Sequence, residues 1–194
     1  MSPQDYVKFN ARWIREDIPV DNAVLENLNR VRRLLMSRNL LGALPDGTGF
    51  GNISLRRDER GRFLITGSAT GHLETLESRH LALVEAADME HNHVVCRGST
   101  LASSESLSHA ACYRGKAGIK AVIHVHSHER WEACRRDHPV TPEHAAFGTP
   151  ELALSIRSIV KNMNAERGLI VLGGHPEGLL AYGPGLRQAA DLLL

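Results

Sequence analysis

At 194 residues the chain has the length of a single domain, and with 42% hydrophobic and 23% charged residues it can bury a core without disulfides. Its 23 Lys and Arg are balanced by 22 Asp and Glu, which leaves no broad basic field to hold a nucleic-acid backbone. No run approaches the roughly 18 apolar residues of a membrane span, and Met1 to Pro19 is polar rather than a leader peptide, so a cytoplasmic location is expected.

The pattern predicts one domain over residues 1–194, with residues 1–20 as an N-terminal extension. Val24, Leu28, Val31 and Leu35 recur at helical spacing and predict a helix over 21–38, with Asp21 as its N-cap. The turn-rich stretch 44–51 predicts a loop feeding a strand at 52–56. A polar hairpin at 57–61 leads to a strand at 62–66, then to a small-residue loop, Gly67-Ser68-Ala69-Thr70-Gly71, of the kind that brings backbone N–H groups close to an anion.

Short strands follow at 80–88 and 93–96, and a helix at 103–114. In the strand over 120–127, Val122, His124 and His126 share one face and Ala121, Ile123 and Val125 the other. A helix over 150–163 turns Leu152, Ile156, Ile159 and Met163 inward. Strands at 168–172 and 178–182 and a short helix at 187–194 complete the chain. Strands outnumber helices and do not alternate as βαβ units, so the expected fold is an α/β layered domain around a mainly antiparallel central sheet flanked by helices.

Eleven histidines raise the question of a metal. Cys96, Cys112 and Cys134 are odd in number and widely spaced, and read as reduced thiols. Two imidazoles two residues apart on a strand, those of His124 and His126, can reach one ion, and a catalytic zinc usually takes three protein ligands. His175, in the tight turn Leu-Gly-Gly-His-Pro-Glu-Gly, is the best candidate for the third. His128 shares the parity of the pair but falls at the strand end. Ser103-Ser104-Glu105 has two readings: an N-cap with its first-turn acid, or a general acid/base with two hydroxyl donors. His109, four residues after Glu105 and four before Tyr113, reads as a packed, hydrogen-bonded residue.

Taken in order, Gly51-Asn52-Ile53-Ser54, Leu64-Ile65-Thr66, Ser103-Ser104-Glu105, Tyr113, Ala121-Val122-Ile123-His124-Val125-His126-Ser127, Phe147-Gly148-Thr149 and His175 followed by Gly178-Leu179-Leu180 resemble the class II aldolase and adducin family. The resemblance runs from about residue 24 to the end and is to the sugar-phosphate aldolase type. It implies that His124, His126 and His175 bind a divalent ion, typically Zn2+. Glu105 would serve as acid/base, and Asn52, Thr70, Gly71, Ser103 and Ser104 would surround the substrate's phosphate. The implied reaction is that of a lyase, cleaving or forming a carbon–carbon bond beside a carbonyl through a metal-stabilised enediolate in a small hydroxylated substrate. It also implies a homotetramer with sites at subunit boundaries. Epimerase, dehydratase and decarboxylase chemistry can use the same site, and an adducin-like interaction module uses the fold without catalysis.

Two departures from the family pattern stand out. Pro176 and Glu177 separate His175 from Gly178, where the family has glycine directly after the histidine; Glu177 is either a loop residue or a second carboxylate facing the site. No Lys or Arg lies in the 67–71 loop to match a phosphate, which puts phosphate on the substrate in question.

Overall fold

The computed structural model describes residues 9–45 and 47–194; the first eight residues of the N-terminal extension and Asp46 of the 44–51 loop lie outside them. Helix α1, Asn22–Met36, buries Leu28, Val31 and Leu35, as the spacing predicts. Asp21 holds the N-cap position without a side-chain cap bond, its carboxylate lying 3.8 Å from Arg57 instead. Residues 49–50 of the 44–51 loop form a short strand, β3 (Gly49–Phe50), that pairs with β2 (Gly42–Ala43) just before the loop.

Strands β4 (Asn52–Arg56) and β5 (Phe63–Thr66) pair antiparallel, followed by β6 (Leu81–Asp88) and β7 (His93–Arg97). Helix α2, Ser106–Gly115, begins three residues later than the pattern predicts. The reason is tertiary: Ala102 bridges antiparallel to Gly67 and Ser68 N–H donates to Leu101 O, so the chain entering Ser103 is held extended. Strand β8 (Ala121–His126) leads into helix α3 (His128–Cys134), whose N-cap Ser127 accepts from the Arg130 N–H. The sequence pattern announces no helix here; it places His128 at a strand end, whereas His128 opens α3.

Helix α4, Pro150–Asn162, is capped by Thr149 with Pro150 at its first turn. Its fully buried set is Leu152, Ala153, Ile156 and Val160, while Ile159 and Met163, expected to face inward, are only partly buried against the same core. Strands β9 (Gly168–Val171) and β10 (Gly178–Gly183) and helix α5 (Leu186–Ala190) close the chain.

Among the described residues, eight strands form one sheet in the order β1-β7-β6-β5-β4-β8-β10-β9, with β1 (Asn10–Ile14) joining as a parallel edge strand and the other pairings antiparallel. Helices α2 and α4 cover one face, where Ala111, Ile156 and Val160 meet Phe63, Val122 and Tyr182. Helices α1 and α5 cover the other, where Leu28, Leu35 and Ala189 meet Ile53, Ile123 and Val125. The alternation along 121–126 is the division between these two cores. It places His124 and His126 on the α2 side of β8, in the middle of the sheet.

Candidate metal centre and active site

The site forms where β4, β8 and β10 run side by side. Asn52 on β4 and Leu180 on β10 are the register partners of His124, and Gly178 is the partner of His126. The turn between β9 and β10 is closed by His175 N–H to Leu172 O at 3.2 Å and Gly178 N–H to His175 O at 2.9 Å, which folds His175 back over the end of β8. Three imidazoles from two strand regions thus meet: His124 Nε2 lies 3.0 Å from His126 Nε2 and 3.3 Å from His175 Nε2.

These separations suit a metal. Zinc–nitrogen bonds of 2.0 to 2.1 Å at tetrahedral angles put donor atoms about 3.3 Å apart. The ligand atoms of the three histidines lie within 4.8 Å of one another, and among the described residues they are the group that could hold an ion. His124 Nδ1–H donates to the Leu179 carbonyl at 3.1 Å, which fixes the ring's tautomer and leaves Nε2 with its lone pair toward the gap. Burial, then the neighbouring imidazoles, holds His124 far below the usual histidine pKa. Burial and His175 lower His126 to about 4. Both rings are therefore neutral at pH 7, the form that binds metal. His128, at the start of α3, is not in the cluster.

Glu105 itself stands at the N-cap position of α2 with no side-chain cap bond, so the reading of a serine N-cap with Glu105 as its first-turn acid does not apply. It is 4% exposed. One oxygen, Oε1, is 3.9 Å from His175 Nε2, and the other accepts from Ser108 Oγ at 2.8 Å, which holds the carboxylate in one orientation.

The cluster lies in a cavity of about 440 Å³ whose lining includes every residue the sequence reading assigns to substrate: Asn52, Thr70, Gly71, Ser103 and Ser104. The Gly67–Ala102 bridge brings the 67–71 loop against Ser103 and Ser104. Thr70 Oγ1 donates to Gly67 O within the loop, and Ala69 is held at φ 59°. Glycine is required at position 71, since a Cβ there would come within 2.2 Å of the Gly42 carbonyl oxygen and 2.7 Å of Gly49 Cα. Asn52 is fixed from behind by His109, whose Nε2 is 2.6 Å from Asn52 Oδ1.

Sequence reasoning assigns no role to Phe50 and Phe147, which wall the metal cluster with ring centroids 5.8 Å from His126 and 4.8 Å from His175, respectively. Phe147 stands in a matched motif, a signal that could have found it. Glu177 also lines the cavity, in the left-handed region at φ 67°, a conformation that costs a non-glycine residue about 1–2 kcal/mol.

Residues 36–194 match the profile described as Class II Aldolase and Adducin N-terminal domain. No curated protein matches the chain. Among solved structures, an L-fuculose 1-phosphate aldolase aligns with TM-score 0.64 and 24% identity over 90% of this chain and 81% of that one. L-fuculose-1-phosphate aldolase from Thermus thermophilus aligns with TM-score 0.63 and 23% identity over 89% and 88%. YgbL from Klebsiella pneumoniae, described as a candidate aldolase, epimerase or decarboxylase, aligns with TM-score 0.63 and 20% identity over 89% and 84%. At these identities the likeness is one of fold, and the chain has the α/β layered architecture of those aldolases.

Proposed function

From the premise that this chain belongs to the class II aldolase and adducin family, we propose that it is a zinc-dependent lyase of the aldolase type. Its substrate would be a small hydroxylated carbonyl compound, cleaved or formed at the carbon–carbon bond beside the carbonyl. The observation that carries the reading is the convergence of three imidazole nitrogens in one gap, with the buried carboxylate of Glu105 3.9 Å from the nearest of them.

His124, His126 and His175 would hold the ion, and the donor set fits: three ring nitrogens, two of them on imidazoles kept neutral by burial and one with its tautomer fixed by Leu179. A divalent cation held there supplies Lewis-acid stabilisation of the negative charge that develops on the carbonyl and hydroxyl oxygens. Glu105 moves the proton at the reacting carbon or hydroxyl, its free oxygen facing the cluster while Ser108 holds the other. Asn52, Ser103, Ser104 and the Thr70-Gly71 backbone hold the far, oxygen-rich end of the substrate, and Phe50 and Phe147 limit access of water. The family resemblance supports a cytoplasmic homotetramer, and a stable monomer by light scattering would count against that assembly.

Metal content by plasma emission spectroscopy on tag-free protein, beside His124→Ala, His126→Ala and His175→Ala, tests the centre. The expected result is zinc in the native protein and its loss in each variant. Incubating the zinc-loaded protein with sugar phosphates and hydroxy ketones and analysing the products tests the reaction: two shorter carbonyl fragments support the aldolase, whereas an epimer, a dehydrated product or carbon dioxide replaces it.

A further inference from the structure

Behind Asn52, on the side away from the cavity, a line of buried polar side chains runs between β4 and α2. Asn52 Oδ1 is 2.6 Å from His109 Nε2, His109 Nδ1 is 2.6 Å from Ser54 Oγ, and Ser54 Oγ is 2.7 Å from the Tyr113 hydroxyl. His109 and Ser54 are fully buried and Tyr113 is 3% exposed. Burial lowers the pKa of His109 to about 3, so at neutral pH its ring carries one N–H and one lone pair.

A neutral imidazole between a hydroxyl and a carboxamide couples the two. If Nε2 carries the hydrogen it donates to Asn52 Oδ1, Nδ1 accepts from Ser54, and Ser54 accepts from Tyr113. If Nδ1 carries it, every bond reverses: Ser54 donates to Tyr113, and Asn52 must turn over to offer Nδ2 to the ring. Mixed arrangements either set two lone pairs against each other or have Ser54 accept from both neighbours with no acceptor for its own hydrogen, and each leaves a buried group unsatisfied. The Tyr113 end decides between the two. Among the described residues its hydroxyl has Ser54 as its hydrogen-bond partner, and no second acceptor stands within reach of the phenol hydrogen. In the reversed chain the phenol hydrogen would be stranded in the core, so Tyr113 donates and the order runs outward to the cavity.

We propose that Tyr113, Ser54 and His109 are positioning residues that lock the Asn52 carboxamide with its oxygen inward and its NH2 toward the cavity, making Asn52 a donor to an anionic oxygen of the ligand. The proposal rests on the reading of Asn52 as a substrate-binding residue, and it goes beyond that reading by assigning the polarity of the contact and the groups that set it. A chain of fixed direction makes the site selective for acceptors: a phosphate or carboxylate oxygen gains a preoriented donor, and a ligand offering only an N–H there meets a like group.

The test uses the folded, zinc-loaded protein labelled with 15N. Long-range 1H–15N correlations of the His109 ring are expected to show the Nε2-protonated tautomer across pH 6 to 8, and titration with inorganic phosphate is expected to shift the Asn52 side-chain NH2 resonances. Ser54→Ala removes the donor to Nδ1 and should weaken phosphate binding about tenfold with zinc content unchanged. Tyr113→Phe, which removes the donor at the far end, gives a second variant should Ser54→Ala fail to fold, and is expected to admit the other His109 tautomer. An Nδ1-protonated His109 in the native protein, or phosphate that shifts other cavity resonances and leaves the Asn52 NH2 unmoved, overturns the proposal. An ordered chain and a shifted Asn52 in a protein that cleaves no sugar phosphate uphold it and overturn the proposed reaction instead.

Discussion

Arg32 Nη2, on α1, donates to the Thr70 carbonyl oxygen at 2.7 Å, joining the first helix to the loop that lines the cavity. The same nitrogen reaches Gly71 O at 2.8 Å and Nε reaches Leu73 O at 2.5 Å. The guanidinium is fully buried; desolvation lowers its pKa to about 10, which leaves it charged at neutral pH. In a trans peptide the C=O and N–H point opposite ways, so carbonyls turned toward Arg32 turn the N–H groups of Gly71 and His72 away from it. Arg32→Met should therefore lose about 3–5 kcal/mol, because three carbonyls lose a charged donor. Urea unfolding measures the loss, and hydrogen exchange should show faster opening at 67–73. A loss below about 1 kcal/mol would mean the clamp is not needed to hold the loop.

Stability should fall on acidification in a way set by the buried imidazoles. His109 and His126 have folded pKa values lowered to about 3 and about 4 from an unfolded value near 6.5. The native state then binds fewer protons than the unfolded chain between these limits. Their contribution is fully present above pH 6.5 and is lost as pH falls toward about 4 for His126 and about 3 for His109, at about 1.4 kcal/mol per pH unit for each proton taken up on unfolding. Urea denaturation of metal-free protein at pH 7.5, 6, 5 and 4.5 measures the slope, and a flat profile would contradict the burial of both rings.

Glu105→Gln keeps the shape of the side chain and an oxygen for the Ser108 hydroxyl, and removes the group that can take up a proton. Zinc content and melting temperature should stay close to native, while kcat falls about 10² to 10⁴-fold with little change in KM. Loss of zinc in this variant would instead make Glu105 a ligand.

Glu177→Gly relieves the positive φ at the β9–β10 turn. It should raise stability by about 0.5–1 kcal/mol and Tm by about 1–4 °C. Activity measured on the same variant decides between the two readings of its carboxylate. Unchanged kcat/KM leaves Glu177 a loop residue, and a fall of tenfold or more makes it a second acidic group of the site.

The elements whose pattern is local are legible in the order of residues alone. Alternation along 121–126 announces the strand, its two faces and the shared side of His124 and His126, because successive Cβ atoms must point to opposite faces of a sheet. The spacing of Leu28, Val31 and Leu35 likewise announces α1 and its buried stripe. Where a local signal competes with a long-range one, the long-range one prevails. The pair Ser103 and Ser104 reads as a helix start, yet the bridge from Ala102 to Gly67 holds the chain at Ala102 against the 67–71 loop, the helix begins only at Ser106, and the carboxylate of Glu105 is left to the cavity.

Residue type and periodicity are properties of the chain, and they establish which side chains are chemically able to act and which face of its element each one shares. They establish neither the parallel edge strand β1 nor the distances that make three histidines one centre. Those depend on register between strands distant in sequence: His124 meets His175 only because β10 lies beside β8 with Leu180 opposite His124. The groups behind the site, Arg32 under the loop and His109 behind Asn52, are decided in the same way. A buried charge or imidazole is tolerated only where the fold supplies its partners, and those partners come from elements that periodicity describes singly and only packing brings together.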